Sequence, residues 1–286
     1  MRYLWLPVAL ITASAILAVT LRPAVVTWLL LPFFGWQFFH FAKQNLGMVA
    51  LAASSSRVPS LSRAERRVLI ASGLAGIGGL LAHPALLQLP VNSRLGPLFP
   101  VCAAAFSIAV AAGAVLLLRR PATHRPAGFC VMYLIALLFS LPVFVFASPY
   151  AAVSGMTIAH GMQYLLLMAL VAAGGSANVA AGGSGNATAG RVNATAGRVA
   201  AVAVLCNIAL LGGIGLEKAS HLHGAGPAGR LLFGAYLGVV MAHFVIDAGM
   251  WRLRDPFPRA FLTRRVPYLL KPAGVGDRPV VVRQPI

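Results

Sequence analysis

The sequence predicts an all-α fold: a polytopic membrane bundle of about eight transmembrane helices, with both termini cytoplasmic. Three observations predict it. The chain is 59% hydrophobic and only 10% charged, with a mean hydropathy of +0.83; soluble domains carry about 25% charged residues. Several apolar runs approach or exceed the ~20 residues a helix needs to cross the hydrocarbon. The segments between those runs alternate between rich and poor in Lys and Arg, as the positive-inside rule requires.

Taken in order, span one covers Tyr3 to Thr20. Met1-Arg2 ahead of an apolar run resembles a signal peptide, but the run is longer than a usual signal core and reads as a retained anchor. Span two begins after Arg22-Pro23, runs to about Ala42 and can continue as helix to Ala53; Arg57, Arg63, Arg66 and Arg67 then form a basic loop. Span three is about Val68 to Leu87. Its Ser72-x-x-x-Gly76 and Ala75-x-x-x-Gly79 spacings allow a close helix approach, and His83-Pro84 marks its end. Span four runs from Leu98 to Leu118, closed by Arg119-Arg120. Span five covers Gly128 to Ala147 and span six Ala151 to about Ala173.

Residues 174–199 read as a flexible Gly/Ala-rich cytoplasmic loop. It contains a tandem repeat, NATAGRV at Asn186–Val192 and again at Asn193–Val199. Two seven-residue copies do not make a solenoid. Span seven is about Ala200 to Gly215, followed by a loop with Glu217, Lys218, His221 and His223. Span eight runs from Leu231 to Trp251. The bundle thus occupies 1–251, and 252–286 is a basic, Pro-containing cytoplasmic tail.

With both ends inside, 18 Lys and Arg fall on the inner side and four (Arg22, Arg94, Lys218, Arg230) outside; Lys43 lies at or near a span end. This asymmetry supports the orientation and a multi-pass location in the plasma (inner) membrane. It also puts the Asn-Ala-Thr glycosylation matches on the wrong side for modification. The net charge of +18 is explained by basic loops at an anionic lipid surface, so nucleic acid is not an expected partner. Cys102, Cys130 and Cys206 lie in predicted spans without paired metal spacing and read as small core residues.

Three stretches carry the chemistry. In span two, Trp36, His40, Lys43, Gln44 and Gly47 fall on one stripe at 100° per residue. Span six presents Met156, His160, Gln163 and Tyr164; span eight presents Tyr236, His243 and Asp247, the only carboxylate in a predicted span. All three spans run outside to inside. Counted from their outer ends, His40, His160 and His243 lie roughly 27, 16 and 20 Å deep at ~1.5 Å per residue, a scatter that tilt can absorb.

Each polar residue taken alone has a plainer reading. A single histidine, Gln163 or Asn207 is commonly a helix-to-helix hydrogen bond, Lys43 a snorkelling residue, and Asp247 a partner of Lys43, Arg252 or Arg254. Their coincidence on three spans, while spans one, three, four and five carry almost no internal ionisable groups, favours one shared site. Imidazoles and a carboxylate suit Fe, Mn or Zn. Two metals would need further ligands, with Gln44, Gln163, Glu217 or His221 in reserve.

The blocks Trp36-x-x-x-His40-Phe41-x-Lys43-Gln44, His160-x-x-Gln163-Tyr164 and His243-Phe244-x-x-Asp247-x-x-x-Trp251-Arg252 resemble those of poorly characterised bacterial integral-membrane proteins. In general design, histidines clustered across membrane helices resemble integral-membrane non-haem iron oxygenases, although the dense His boxes of desaturases are absent. The expectation is a metal-dependent oxidoreductase with one or two non-haem iron ions, acting on a lipophilic or amphipathic small molecule. In it His40, His160, His243 and Asp247 are ligands. Gln44 and Gln163 ligate or orient, Lys43 stabilises an anionic group, and Trp36, Tyr164 and Tyr236 wall the pocket. An electron donor would dock on the basic cytoplasmic face. The alternatives are a haem-binding electron carrier and a small-molecule or proton-coupled transporter using Lys43 and Asp247.

Overall fold

Among the described residues every regular element is helical. The computed structural model describes residues 2–87, 94–180, 226–250, 260 and 262–263, and only the backbone at 2–4, 166–180 and 249–250. The α-helices are α1 (Arg2–Thr20), α2 (Pro23–Ser55), α3 (Arg63–Ala82), α4 (Leu98–Arg119), α5 (Ala127–Leu138), α6 (Leu141–Val145), α7 (Pro149–Ala180) and α8 (Pro227–Met250), with a 3-10 turn at Ala122–His124. Span seven, the tandem repeat, the Glu217/Lys218/His221/His223 loop, Cys206, Asn207 and most of the tail lie outside the described residues.

Among the described residues three helices are long and apolar enough to cross a membrane: Pro23–Ser55, Leu98–Arg119 and Pro227–Ala248. Trp5–Thr20 and Ala127–Leu138 are shorter apolar helices. Large apolar side chains face outward along them, among them Trp5, Ile108, Leu118 and Leu232. An outward apolar surface of this extent suits a lipid environment.

The helix ends follow local chemistry. Arg22 is extended before Pro23, which opens α2 at its first helical position. The far end of α2 closes with Arg57 in the left-handed region (φ 55°), its N–H on Ser54 O at 3.1 Å and Val58 N–H on Ala53 O at 3.0 Å. That is a Schellman closure, with Val58 buried behind it.

α3 begins five residues before the expected Val68, because Ser62-x-x-Glu65 is a capping box. Ser62 Oγ accepts from Glu65 N–H at 3.2 Å, and Glu65 Oε2 accepts from Ser62 N–H at 2.7 Å. Glu65 also takes a two-pronged contact from Arg120, at 2.5 and 2.9 Å. The same guanidinium donates to Pro59 O and Ser60 O and lies over the Phe129 ring. One arginine after α4 thus ties down the loop between α2 and α3. Burial raises the Glu65 carboxyl pKa, but hydrogen bonds from Arg120 and Ser62 outweigh it and hold the group below its ordinary value.

The expected single span at 128–147 is broken. α5 stops at Leu138 and α6 restarts at Leu141 with Pro142 in its first turn. Pro142 has no N–H for the Leu138 carbonyl and would clash with it. Gly76 accepts the interruption: a methyl there would overlap the Ser140 side chain. Gly79 likewise admits the Phe144 ring, and Gly73 lies against Ala42 of α2. The expected close approach of α3 is therefore present, its glycines meeting α2 and the α5–α6 break. In contrast to the expected loop from 174, α7 continues as helix through Ala180.

α1 lies along α8, and α3 along α4. The first pair is set by Gly234-x-x-x-Gly238. A methyl at Gly234 would overlap Ser14 O and Ala18 Cβ, and one at Gly238 would overlap Ile11 Cα, so the two backbones are in van der Waals contact. Of the two apolar clusters, one joins the later half of α2 to α3, α4 and α5. The other holds Phe38, Phe41, Leu80, Val143, Met156 and Phe244 together, bringing α2, α3, α6, α7 and α8 to one place.

Candidate metal centre

Three helices supply the centre, and they run in one direction. Gly35 of α2 lies by Leu81 near the end of α3, while Gly73 lies by Ala42, so α3 is antiparallel to α2. Leu87 N–H, just past α3, donates to Tyr150 OH in the first turn of α7 at 3.0 Å. α7 therefore starts at the end where α2 starts. Arg230 in the first turns of α8 donates to Leu21 O, immediately before α2, so α8 starts there too. Residues at matched heights on α2, α7 and α8 can meet at one level.

They do meet at the histidines. His40, His160 and His243 each offer a nitrogen, and these atoms lie within 4.8 Å of one another. The ring centroids are 5.3 Å (His40–His160), 5.9 Å (His40–His243) and 6.2 Å (His160–His243) apart. Asp247, one turn beyond His243, places Oδ2 3.2 Å from His243 Nε2 and 3.5 Å from His40 Nε2. Two ligands about 2.1 Å from one metal are separated by roughly 3.0 Å at a right angle and 3.4 Å at the tetrahedral angle. The Asp247 distances sit at those values, and imidazole nitrogens at the 4.8 Å limit would need to close by about 1.4–1.8 Å.

The polar accounting points the same way. His40 Nε2, both nitrogens of His160 and both carboxylate oxygens of Asp247 are buried without a hydrogen-bond partner. Such groups are rare in folded proteins, and each costs about 1–3 kcal/mol. A cation among them would satisfy His40 Nε2, one nitrogen of His160 and the carboxylate together. The donor set fits a nitrogen- and oxygen-ligated transition metal. His160 and Asp247 are buried, at 6% and 2% exposure, whereas the His243 side chain is 37% exposed and opens the centre on one side.

Aromatic rings hold the imidazoles in place. Phe41 stacks on His160 at 4.0 Å and Phe244 on His40 at 4.4 Å, both within about 25° of parallel. Each phenylalanine directly follows a cluster histidine and covers a histidine of another helix. Both stood in the sequence blocks, but only the crossed packing reveals their role. The Tyr164 ring meets His243 edge-on at 5.4 Å.

Other candidates fall differently. Gln44 and Gln163 lie one turn beyond His40 and His160, with buried carboxamide oxygens that have no partner. Lys43 is exposed and does not join the cluster; the neighbours of Asp247 are His40 and His243. The expected polar stripe on α2 is split accordingly. Its buried face is Gln37, Phe38, Phe41, Asn45, Val49 and Ala53, and Trp36, Lys43 and Gly47 lie outside it. Trp36 touches Phe244 edge-on at 6.0 Å and lines an apolar cleft with Leu29, Pro32, Phe33, Leu237 and Met241. Met156 is buried in the apolar cluster, and the described ring contact of Tyr236 is to Phe233. Cys102 and Cys130 are free thiols.

His83 caps the end of α3, its Nδ1 accepting from Ala85 N–H at 3.2 Å. Comparison of the chain with family models, with curated proteins and with solved structures yields no match.

Proposed function

We propose that this chain is an integral-membrane, metal-dependent oxidoreductase: a non-haem iron oxygenase acting on a lipophilic small molecule. In this reading it crosses the plasma (inner) membrane eight times with both termini in the cytoplasm. The observation that carries it is the convergence of His40, His160, His243 and Asp247, with buried unpartnered ligand atoms on His40, His160 and Asp247.

His40, His160 and His243 would hold the metal through nitrogen, and Asp247 would supply the charge that favours a divalent ion. Bound iron would supply the redox chemistry for placing one oxygen atom of O₂ in a substrate C–H bond, while two electrons and two protons reduce the other to water. Phe41 and Phe244 fix the ring planes of His160 and His40 and exclude water from those sides. Gln44 and Gln163 offer acceptors that orient a water or a substrate hydroxyl near the centre. The exposed side of His243, beside Tyr164, would admit O₂ to the centre. Arg57, Arg63, Arg66, Arg67 and Arg119 are exposed and would attract an acidic electron donor to the cytoplasmic face.

The test is metal analysis with visible spectroscopy on detergent-purified protein. The expected result is about one iron per chain, no Soret band, and loss of iron in His160→Ala. A Soret band would instead make the chain a haem-binding carrier. Absence of any metal in a folded protein would remove the oxygenase reading.

A further inference from the structure

The apolar cleft does not end at Trp36. Toward the start of α2 and α8 it continues into a smaller hollow lined by Ala18, Pro23, Val26, Thr27, Leu30 and Arg230, sharing Ala18 and Val26 with it. Toward the centre, Trp36 touches Phe244, which stacks on His40. The two hollows form one lane between α1, α2 and α8, with a guanidinium at one end and Trp36, separated from His40 by the Phe244 ring, at the other. Arg22, exposed, directly precedes Pro23 of the smaller hollow. No described carboxylate lies there: Glu65 pairs with Arg120 and Asp247 sits among the histidines.

The geometry points to a single-chain fatty carboxylate as the ligand of this lane, its head on Arg230 and Arg22 and its chain against Leu29, Phe33, Trp36, Leu237 and Met241. This deepens the oxygenase reading and rests on it for the fate of the distal carbon, though not for binding. The wider part of the lane measures about 260 Å³, near the small end of ligand cavities at roughly 300–1,000 Å³. That size favours one chain over a two-tailed lipid. The two arginines complement one anionic head. Arg230 and His243 are thirteen residues apart on one helix, or about 20 Å at ~1.5 Å per residue. The carbon brought to the centre is therefore far from the carboxylate.

Binding of a long-chain fatty acid and of the matching fatty alcohol to the purified full chain tests this, with a diacyl phosphatidylglycerol as competitor. Arg230→Gln should weaken the acid about tenfold and leave the alcohol unchanged, and Arg230→Lys should restore most of the loss. Leu237→Trp should abolish both ligands while metal content stays at the wild-type level. Unchanged acid binding in Arg230→Gln, or displacement by the phospholipid at equal concentration, would overturn the proposal. Alcohol binding reports that each Arg230 variant is folded. Charge-selective acid binding to a protein that holds no metal would refute the oxygenase reading alone.

Discussion

Asp247→Asn separates a metal ligand from a structural carboxylate. Asp247 Oδ2 stands 3.2 and 3.5 Å from two imidazole nitrogens, and the side chain is 2% exposed. Losing even an outer-sphere partner of a metal site weakens affinity 10–100-fold, so loss of this charged ligand should cost about 100-fold or more. At a metal concentration 100 times the wild-type Kd, binding stabilises the wild type by about 2.7 kcal/mol. A variant bound 100-fold more weakly gains only about 0.4 kcal/mol. The difference corresponds to about 5–9 °C in metal-induced thermal shift for a chain of this size. Without metal the ranking should flatten or reverse, since the wild type then buries a carboxylate whose neighbours are imidazoles rather than a permanent cation. The assay is thermal unfolding in detergent with and without added Fe²⁺ or Zn²⁺, alongside metal content. Equal shifts in both proteins would place Asp247 outside the coordination sphere and leave a three-histidine site.

Gly238→Leu drives a side chain into the α1 backbone at Ile11. Overpacking of this kind costs about 1–3 kcal/mol and displaces α8, so both thermal stability and metal content should fall. Arg120→Met leaves Glu65 buried without its cation and should destabilise by about 3–5 kcal/mol, read by thermal unfolding against Glu65→Gln and the double variant. The carboxyl of Glu65 is held below its ordinary value, so its stabilisation is complete above the unfolded value of ~4.3 and is lost as pH falls through the folded one. An unfolding series from pH 7 to 3 should show that acid-sensitive component in the wild type and not in Glu65→Gln. In a cysteine-free background, cysteines at Ser60 and Thr123 should resist an impermeant thiol reagent in intact cells, while one at Ser148 should label. All three positions are exposed, so the reverse pattern would invert the proposed orientation.

Much of this molecule is readable before it folds, and what is not readable has a physical cause. The apolar runs give the helices because hydrocarbon forces every backbone polar group into internal hydrogen bonds. His40, His160, His243 and Asp247 stand out because polar groups are costly in apolar helices and are therefore scarce there. Periodicity alone does not show that Lys43 is exposed: the stripe on α2 gives an angle, but the neighbouring helices decide which angle is buried, and they chose the Phe38–Phe41–Asn45 face. The break at Ser140 was signalled by Pro142, and the early start of α3 by Ser62-x-x-Glu65, yet both were outweighed by continuous hydropathy. The α1–α8 contact was written as Gly234-x-x-x-Gly238, but the sequence does not say which helix the glycines meet. The Arg120 tie joins positions 55 residues apart, and local patterning carries no record of such a pair.

The glycine-mediated contact of α1 with α8 also constrains how the protein is made. More than two hundred residues separate Ala18 from Gly234, and at about 5–20 residues per second the ribosome takes roughly 10–40 s to cover them. In the proposed eight-span reading α1 lies in the membrane without its partner throughout that interval, its Ser14–Ala18 groove open to any other helix with small residues. His243 and Asp247 arrive on that same late helix, so the proposed metal centre is incomplete until α8 has docked. Nascent chains truncated before Gly234 should therefore expose α1 to crosslinking with foreign membrane helices, and protection should appear in the same length window as metal retention.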